Sequence, residues 1–396
     1  LKLGILSDFA KKGGAATAAD RIAGCLRQTD IEIFRVSSDG SSDSTLEEET
    51  LMPSRKYQLL ELCFAGTVWG KYLPNRRAKD LCKQFDKLLK RRKPDLINVH
   101  NLHGSDWPME LVEVALKHAP VCWTLHDCST FLGTFYPSNS PRILSHSKAN
   151  LRRFWGRLSK KPMGNSISAV APSKWMREEA NASYWAEHGT TLIPYPISSD
   201  FKTCGCPRAS RQALGLEQDK PIVLIISGNL DEERKGGPIV RQLISHKKFR
   251  GVQFVMVGQT QEANGLPENV RVLGFVRDQF LLRIMYTAAD FLLHPAPVDN
   301  LPNTVIESLS CGTPVLAFPV GGLPDMVIPN ETGWLAGDTS ASSLIERMES
   351  VLAQKSYQDL SANAQRAAAT FFDERKIANL YQAQFRKIIE EGKAKQ

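Results

Sequence analysis

The sequence has no apolar run near the 18 or more residues that cross a bilayer; Ile222 to Ile226 is typical of what it offers. A membrane span is therefore not expected. A secretory leader is not expected either, because the first apolar stretch is short and meets Lys11 and Lys12. The eight cysteines are scattered. Only Cys204 and Cys206 stand close, with no second Cys/His pair at zinc-finger spacing. Scattered thiols without an export signal predict a reduced, cytoplasmic chain. The sequence also lacks an Asp-X-Asp pair, an internal repeat and the three spaced glycines of a dinucleotide fingerprint. Solenoid architectures and nicotinamide chemistry lose ground accordingly.

What is present is ordinary globular material: 396 residues, 42% hydrophobic and 23% charged, enough for two domains or three. The formal charge is +8, from 50 Lys+Arg against 42 Asp+Glu. That excess favours anionic partners such as nucleotide phosphates or acidic lipids. Much of it sits in Arg76 to Lys93, with nine Lys/Arg, and in Lys148 to Lys161. These stretches lack stacking aromatics at recognisable spacing, so nucleic acid is not an expected partner. Leu81, Phe85, Leu88 and Leu89 share one side of the first stretch. It reads either as a basic helix packed on its sheet or as a surface resting on an acidic membrane.

Strand-like runs alternate with helical patterns from end to end. The runs are Leu3–Leu6, Ile31–Val36, Leu96–His100, Val121–His126 and Ile167–Pro172, then Ile222–Ser227, Val252–Val257, Val270–Leu273, Asp290–His294 and Pro314–Phe318. Most are continuously apolar, as strands buried on both faces are. Alternation of this kind predicts α/β architecture with parallel sheets. A Pro/Gly/Ser-rich stretch from Tyr195 to Asp219 marks a linker. The expected organisation is a domain over 1–197, a second over 198–372, and a C-terminal helix over 373–396 that crosses back to the first. Ligands of open parallel sheets bind at the carboxyl ends of strands, so a cleft between two such edges is the expected site.

Five motifs fall at those ends. Gly13 and Gly14 follow the first strand and open an Ala-rich helix. They suit close approach to a phosphate, and equally a structural turn. Gly228 to Gly237 carries Arg234 and Lys235 with two glycines after a strand, a pattern that fits a diphosphate or an exposed basic turn. Asp299-Asn-Leu-Pro-Asn-Thr-Val-Ile-Glu307 leads to Gly312 and Pro314. Asn303 is the expected N-cap of a short helix there, with Asp299 and Glu307 flanking its anion-attracting end. His100, His103, His126 and Asp127 stand at two strand ends, where they serve as acid, base or hydrogen-bond donor, or as satisfied polar groups within the fold. Gly274-Phe275-Val276 is a βα turn whose backbone could read a nucleobase.

Together these motifs resemble the retaining glycosyltransferases of family 4, which have the two-lobed GT-B fold. Asp299 to Asp325 looks like that family's acidic-X7-acidic signature and the strand after it. Leu273-Gly-Phe-Val276, Tyr286 to Asp290, Ala171 to Lys174 and Glu331 to Leu335 also match. Asn98 to Gly104 and Trp123 to Asp127 look like the branch that builds bacterial surface polysaccharides. The resemblance implies two Rossmann-like domains facing across a cleft, and transfer of a sugar from a UDP- or GDP-linked donor to a lipid-linked or polysaccharide hydroxyl. It implies no cofactor and no metal. Residue by residue it gives Glu307 to the ribose and Asp299 to the donor sugar. The backbone from Asn300 through Leu301, Pro302 and Asn303 to Thr304 would hold the sugar or its phosphate. Lys235 and Arg234 would meet the diphosphate, Gly13 and Gly14 the phosphates and acceptor, Phe275 and Val276 the base, and His126 the transferring sugar. His126, Asp299 and Lys235 are then the catalytic set. The family's usual Glu is Asp at 299, and its usual Arg before the phosphate lysine is Asn229. An epimerase or phosphorylase of the same fold, or a non-catalytic nucleotide-sugar or glycan binder, are the other readings. The implied place is cytoplasmic, at the inner face of the plasma membrane.

Overall fold

The computed structural model describes residues 1–10, 12–40, 46–64, 73–136, 148–160, 166–261, 265–354, 357 and 359–394. Lys11 and Lys161, singled out above, lie outside them. The chain divides into two compact units, Leu1–Ile193 with Ile377–Gln396, and Pro194–Lys376. These limits differ by a few residues from 197 and 372, and the reason is local. Ile197 bridges Asp373 in the parallel sense, and its N–H donates to the Phe372 carbonyl at 2.9 Å, so both passages belong to the second unit.

The first unit is built on strands β1 (Lys2–Leu6), β2 (Glu32–Ser37), β3 (Glu47–Thr50), β4 (Leu96–Val99), β5 (Val121–Thr124), β6 (Ile167–Ala171) and β7 (Thr190–Leu192). Their order across the sheet is β3-β2-β1-β4-β5-β6-β7, every pairing parallel. Leu3 lies opposite both Ile33 and Leu96. The second unit carries β8 (Ile222–Asn229), β9 (Gln253–Gln259), β10 (Val270–Val272), β11 (Phe291–His294), β12 (Val315–Ala317) and β13 (Gly333–Leu335). Its order, β10-β9-β8-β11-β12-β13, repeats the same winding. The continuous apolar runs are buried as expected: β4, β5, β6, β11 and β12 show no exposed residue. Each sheet changes winding direction beside its first strand, between β1 and β4 and between β8 and β11. Such switch points leave a crevice at the carboxyl ends of the strands, where α/β sheets take their ligands.

The basic segment is the helix Leu73–Arg92. Leu81, Phe85, Leu88 and Leu89 are all core, packed with Phe34, Val36 and Val112. The helix therefore turns no apolar face to a bilayer; exposing those four would forfeit about 1.5–3 kcal/mol each. Its C-terminal cations are engaged, Lys90 with Asp86 and both Arg91 and Arg92 with Glu49. The helix Glu374–Ala394 completes the first unit. Ile377, Tyr381, Phe385 and Ile388 are buried, Ser166 Oγ donates to the Ile388 carbonyl at 3.0 Å, and Thr191 Oγ1 donates to Gln384 Oε1 at 3.0 Å. No helix of the described residues is long and apolar enough to cross a membrane.

Candidate active site

At the switch point of the second sheet, the turn after β8 forms a short 3-10 helix, Glu233–Lys235, ended by Gly236 in the left-handed region at φ 82°. A Cβ on Gly236 would lie 2.1 Å from the Pro295 carbonyl, and one on Gly237 2.7 Å from that of Leu230. These two glycines let the Lys235 turn close against the segment after β11. Lys235 Nζ consequently donates to Asp299 Oδ2 at 2.6 Å. His294, the last residue of β11, brings Nε2 to 3.4 Å from the same oxygen without hydrogen-bond alignment. Asp299 is buried. Burial alone would raise its carboxyl, but the Lys235 ammonium and then His294 outweigh that and hold it well below the usual carboxylate range.

The loop after β12 seals this arrangement. Gly321 has φ 54°, and a Cβ there would fall 1.7 Å from the Asp299 carbonyl oxygen. Gly322 N–H donates to the Asn300 carbonyl at 2.7 Å. The Asn300 N–H, expected to hold the sugar or its phosphate, donates instead to Asp299 Oδ1 at 3.0 Å. Leu301 and Pro302 are buried, while Asn303 and Thr304 are half-buried in the first turn of the helix Asn303–Ser310. The N-cap is Pro302, not Asn303, and no side chain caps the helix. Pro302 already has extended backbone at φ −67° and ψ 126°, and its carbonyl accepts from Val305 N–H at 3.1 Å, which places Asn303 inside the helix. Glu307, one turn on, is buried, which excludes a solvated helix residue; Tyr286 Oη donates to its Oε2 at 2.8 Å. Arg234 Nε donates to Glu232 Oε1 at 3.0 Å. Phe275 is half-exposed beneath the Arg277 guanidinium, and Val276 is half-buried beside it.

The switch point of the first sheet holds different chemistry. Gly13, at φ 91°, caps the helix Gly14–Leu26, and both glycines are exposed. Asp8, beyond β1, accepts N–H donations from Phe9 at 2.9 Å and Gly104 at 2.7 Å. His103 Nε2 lies 2.9 Å from Asp127 Oδ2, while Asp127 Oδ1 accepts Ser129 N–H at 2.9 Å. Burial opposes charge on both partners, yet each outweighs that for the other: His103 is raised and Asp127 lowered. His126 Nε2 contacts His100 Nδ1 at 2.8 Å, with the rings stacked 5.1 Å apart. Burial pushes His126 down to about 4 and His100 well below the ordinary imidazole range, so both are neutral at pH 7.

The sequence therefore locates Lys235, Asp299 and Glu307 in one unit and His126 in the other. It gives no sign of three supports: His294 against Asp299, Tyr286 against Glu307, and Gly321 beneath the Asp299 backbone. His294 could have been noticed as a polar strand end, and Gly321 as half of a Gly-Gly pair after a strand. Among the described residues no group of three or more His, Cys, Asp or Glu is gathered as metal ligands.

Two family models cover most of the chain: residues 12–201 match Glycosyltransferase Family 4, and residues 208–367 match Glycosyl transferases group 1. This chain belongs to the family 4-like glycosyltransferases. Its two doubly wound domains are those of the GT-B fold. A glycogen synthase of Chlamydia felis is 26% identical over 220 residues, which is 52% of this chain and 46% of that enzyme. A 2-deoxystreptamine glucosyltransferase of Streptomyces kanamyceticus is 25% identical over 279 residues, 67% of this chain and 70% of that enzyme. The match thus spans less than half the length of the first relative. Among solved structures, sucrose-phosphate synthase from Thermosynechococcus elongatus superposes with a TM-score of 0.76 at 18% identity, covering 98% of this chain and 99% of that one. Anabaena HepE in complex with UDP-glucose gives 0.69 at 18% identity, with coverage of 98% and 99%.

Proposed function

We propose that this glycosyltransferase moves a sugar from a UDP- or GDP-linked donor to an acceptor hydroxyl, retaining the anomeric configuration and using neither metal nor other cofactor. The observation that carries the reading is the Lys235–Asp299 pair, 2.6 Å apart at the switch point of the second sheet and beside the helix that holds Glu307. Lys235 has three N–H donors and gives one to Asp299. The others meet the diphosphate, where negative charge grows as the bond to the sugar breaks. Asp299 faces the sugar, whose ring becomes electron-poor at the same moment. Glu307, oriented by Tyr286, takes the ribose hydroxyls. Phe275 and Val276 read the base, while Gly13 and Gly14 approach the phosphates and acceptor.

No side chain stands as a covalent nucleophile in this reading. The acceptor oxygen attacks from the face the diphosphate leaves, and the departing phosphate oxygen takes the acceptor proton. His126 contacts the transferring sugar. The acceptor class, lipid-linked or polysaccharide and of the bacterial surface kind, rests on the resemblance of Asn98–Gly104 and Trp123–Asp127. Peripheral attachment at the inner face of the plasma membrane then falls to exposed cations of the helix Leu73–Arg92, such as Arg76, Lys79 and Lys83. A non-catalytic nucleotide-sugar binder is the second reading. It is favoured by one fact: Asp299 already engages both Lys235 and the Asn300 N–H.

A thermal-shift screen of UDP-, GDP- and ADP-sugars identifies the donor, since ligand binding raises the melting temperature. Turnover with that donor is then measured for Glu307→Ala, Lys235→Ala and His126→Ala. Each is expected to lose about 10²–10³-fold while folding normally. Wild-type turnover in all three would refute the assignment. Donor binding without turnover across glycan and lipid-linked acceptors would favour the binder.

A further inference from the structure

Asn98, His100 and His126, all buried in the first unit, form a single line whose protons can be placed by elimination. Asn98, on β4, has no solvent exposure. Its Nδ2 donates to the Cys122 carbonyl at 2.8 Å and to Thr124 Oγ1 at 3.1 Å. The Cys122 carbonyl only accepts, so the amide can be oriented only one way. Asn98 Oδ1 therefore points at His100 Nε2, 2.9 Å away. A carbonyl oxygen has no proton to give, so His100 Nε2 carries one. Neutral imidazole holds a single N–H, which leaves His100 Nδ1 as an acceptor. That nitrogen lies 2.8 Å from His126 Nε2, a contact that needs one proton, and only His126 can supply it. His100 is itself immobilised: its side chain is fully buried, and its carbonyl accepts from Trp123 Nε1 at 2.9 Å.

We propose that Asn98 and His100 are positioning residues that hold His126 as the Nε2–H tautomer, so that its Nδ1 meets substrate as a hydrogen-bond acceptor. The clause about substrate rests on the reading that His126 contacts the transferring sugar. The tautomer itself does not. The low proton affinity that burial imposes on both rings keeps them neutral, as the relay requires. An acceptor nitrogen selects a partner that donates: a sugar hydroxyl or an amide N–H satisfies it, whereas an ether oxygen or a fluorine in the same place does not. The outer histidine of this edge would thus distinguish a hydroxyl from its isosteres through a proton decided two side chains inside the core.

The test uses the full chain labelled with 15N-histidine, read by NMR at pH 7 without donor, where the shifts of the two ring nitrogens report which carries hydrogen. Wild type is expected to show His126 protonated at Nε2. In Asn98→Asp a carboxylate replaces the amide and draws a proton from water onto His100. Both His100 nitrogens then donate, and His126 turns over to the Nδ1–H form. Turnover by that variant is expected to fall about 100-fold, in kcat more than in KM. His100→Asn places an acceptor oxygen near the old Nδ1 position and is expected to keep the Nε2–H signature with most of the activity. An Nδ1–H or doubly protonated His126 in wild type would overturn the proposal, and so would an unchanged His126 beside a doubly protonated His100 in folded Asn98→Asp; an unchanged His126 beside a neutral His100 supports it, since the carboxylate then accepts as the amide oxygen did. Should Asn98→Asp fail to fold, the wild-type and His100→Asn spectra decide. Wild-type turnover in His126→Ala would remove the sugar contact and leave the tautomer assignment to stand on its spectrum.

Discussion

The two units wind the same strand order and place their polar residues at the same switch point, yet one site is charged and the other is mostly neutral. In the second unit Lys235 and the buried Asp299 form a partly buried ion pair, with Glu307 held by Tyr286. In the first unit Asn98, His100 and His126 pass hydrogen bonds along uncharged side chains, and the ionisable groups are the His103–Asp127 pair and Asp8 beside it. A shared fold thus decides where chemistry sits, while the side chains decide what kind it is. Under the proposed function, the charged edge would meet the diphosphate and the neutral one hydroxyls.

The sharpest way to break this comparison is steric. Both edges use a glycine with positive φ, Gly13 at 91° and Gly321 at 54°. Around Gly13 nothing lies within 4 Å of a built Cβ, whereas Gly321 would meet the Asp299 carbonyl at 1.7 Å. Gly321→Ala is expected to cost about 3 kcal/mol or more, because strain and backbone collision add. Gly13→Ala should cost only about 1–2 kcal/mol, for the left-handed backbone alone. Urea unfolding compares the two, and equal losses would show that Gly321 does not support the Asp299 turn.

Next in size is the response to acid. In the unfolded chain His100 and His126 titrate near 6.5; in the fold His126 is pushed down to about 4 and His100 well below its ordinary value. As pH falls from 7 to 5 the unfolded state takes up protons that the folded state refuses, so the first unit loses stability. The loss reaches about 2 kcal/mol per histidine at pH 5. His103 is raised and acts with the opposite sign, contributing stability below 6.5, and so offsets part of it. Asp299 is lowered, so its contribution persists through this range and is lost only at pH below the ordinary carboxylate value of 3.8. Hydrogen exchange, corrected for its intrinsic pH dependence, should show β4 and β5 losing protection between pH 6.5 and 5 while β8 and β11 keep theirs. Parallel losses in both sheets would mean that the histidine line is not a buried neutral one.

The smallest effect concerns orientation. Tyr286→Phe removes the hydroxyl that donates to Glu307 Oε2 at 2.8 Å. A stability loss of about 1–2 kcal/mol is expected, since the buried carboxylate loses a partner. Under the ribose assignment the KM for donor should rise about 10-fold with kcat little changed. An unchanged KM would separate Tyr286 from donor binding.

Much of this was readable beforehand, and what was missed has physical causes. Continuous Val/Ile/Leu runs announced β4, β6, β8 and β11 because strands buried on both faces need no alternation. β3 was invisible because three of its four residues, Glu47-Glu-Glu-Thr50, are charged; the strand forms beside Arg35 of β2 and beside Arg91 and Arg92, which are distant in sequence. β7, Thr190-Thr-Leu192, is only half-buried and β13, Gly333-Trp-Leu335, opens on a glycine, so neither shows a continuous apolar run. The Asp299–Glu307 spacing was legible because it lies within one local turn and helix. The Lys235–Asp299 contact spans 64 residues, and the Asn98–His100–His126 line joins two strands, so neither could be read from spacing. Asn303 misled because a good capping residue followed a proline whose own backbone was already in place to cap.

The helix Glu374–Ala394 carries a consequence for how the protein is made. Ile377, Tyr381, Phe385 and Ile388 fill the core of the unit whose first strand starts at Lys2. The half that leaves the ribosome first is therefore the half finished last. Until that helix has been made, the early sheet must wait with an apolar gap in its side, while the later one can close as soon as it emerges.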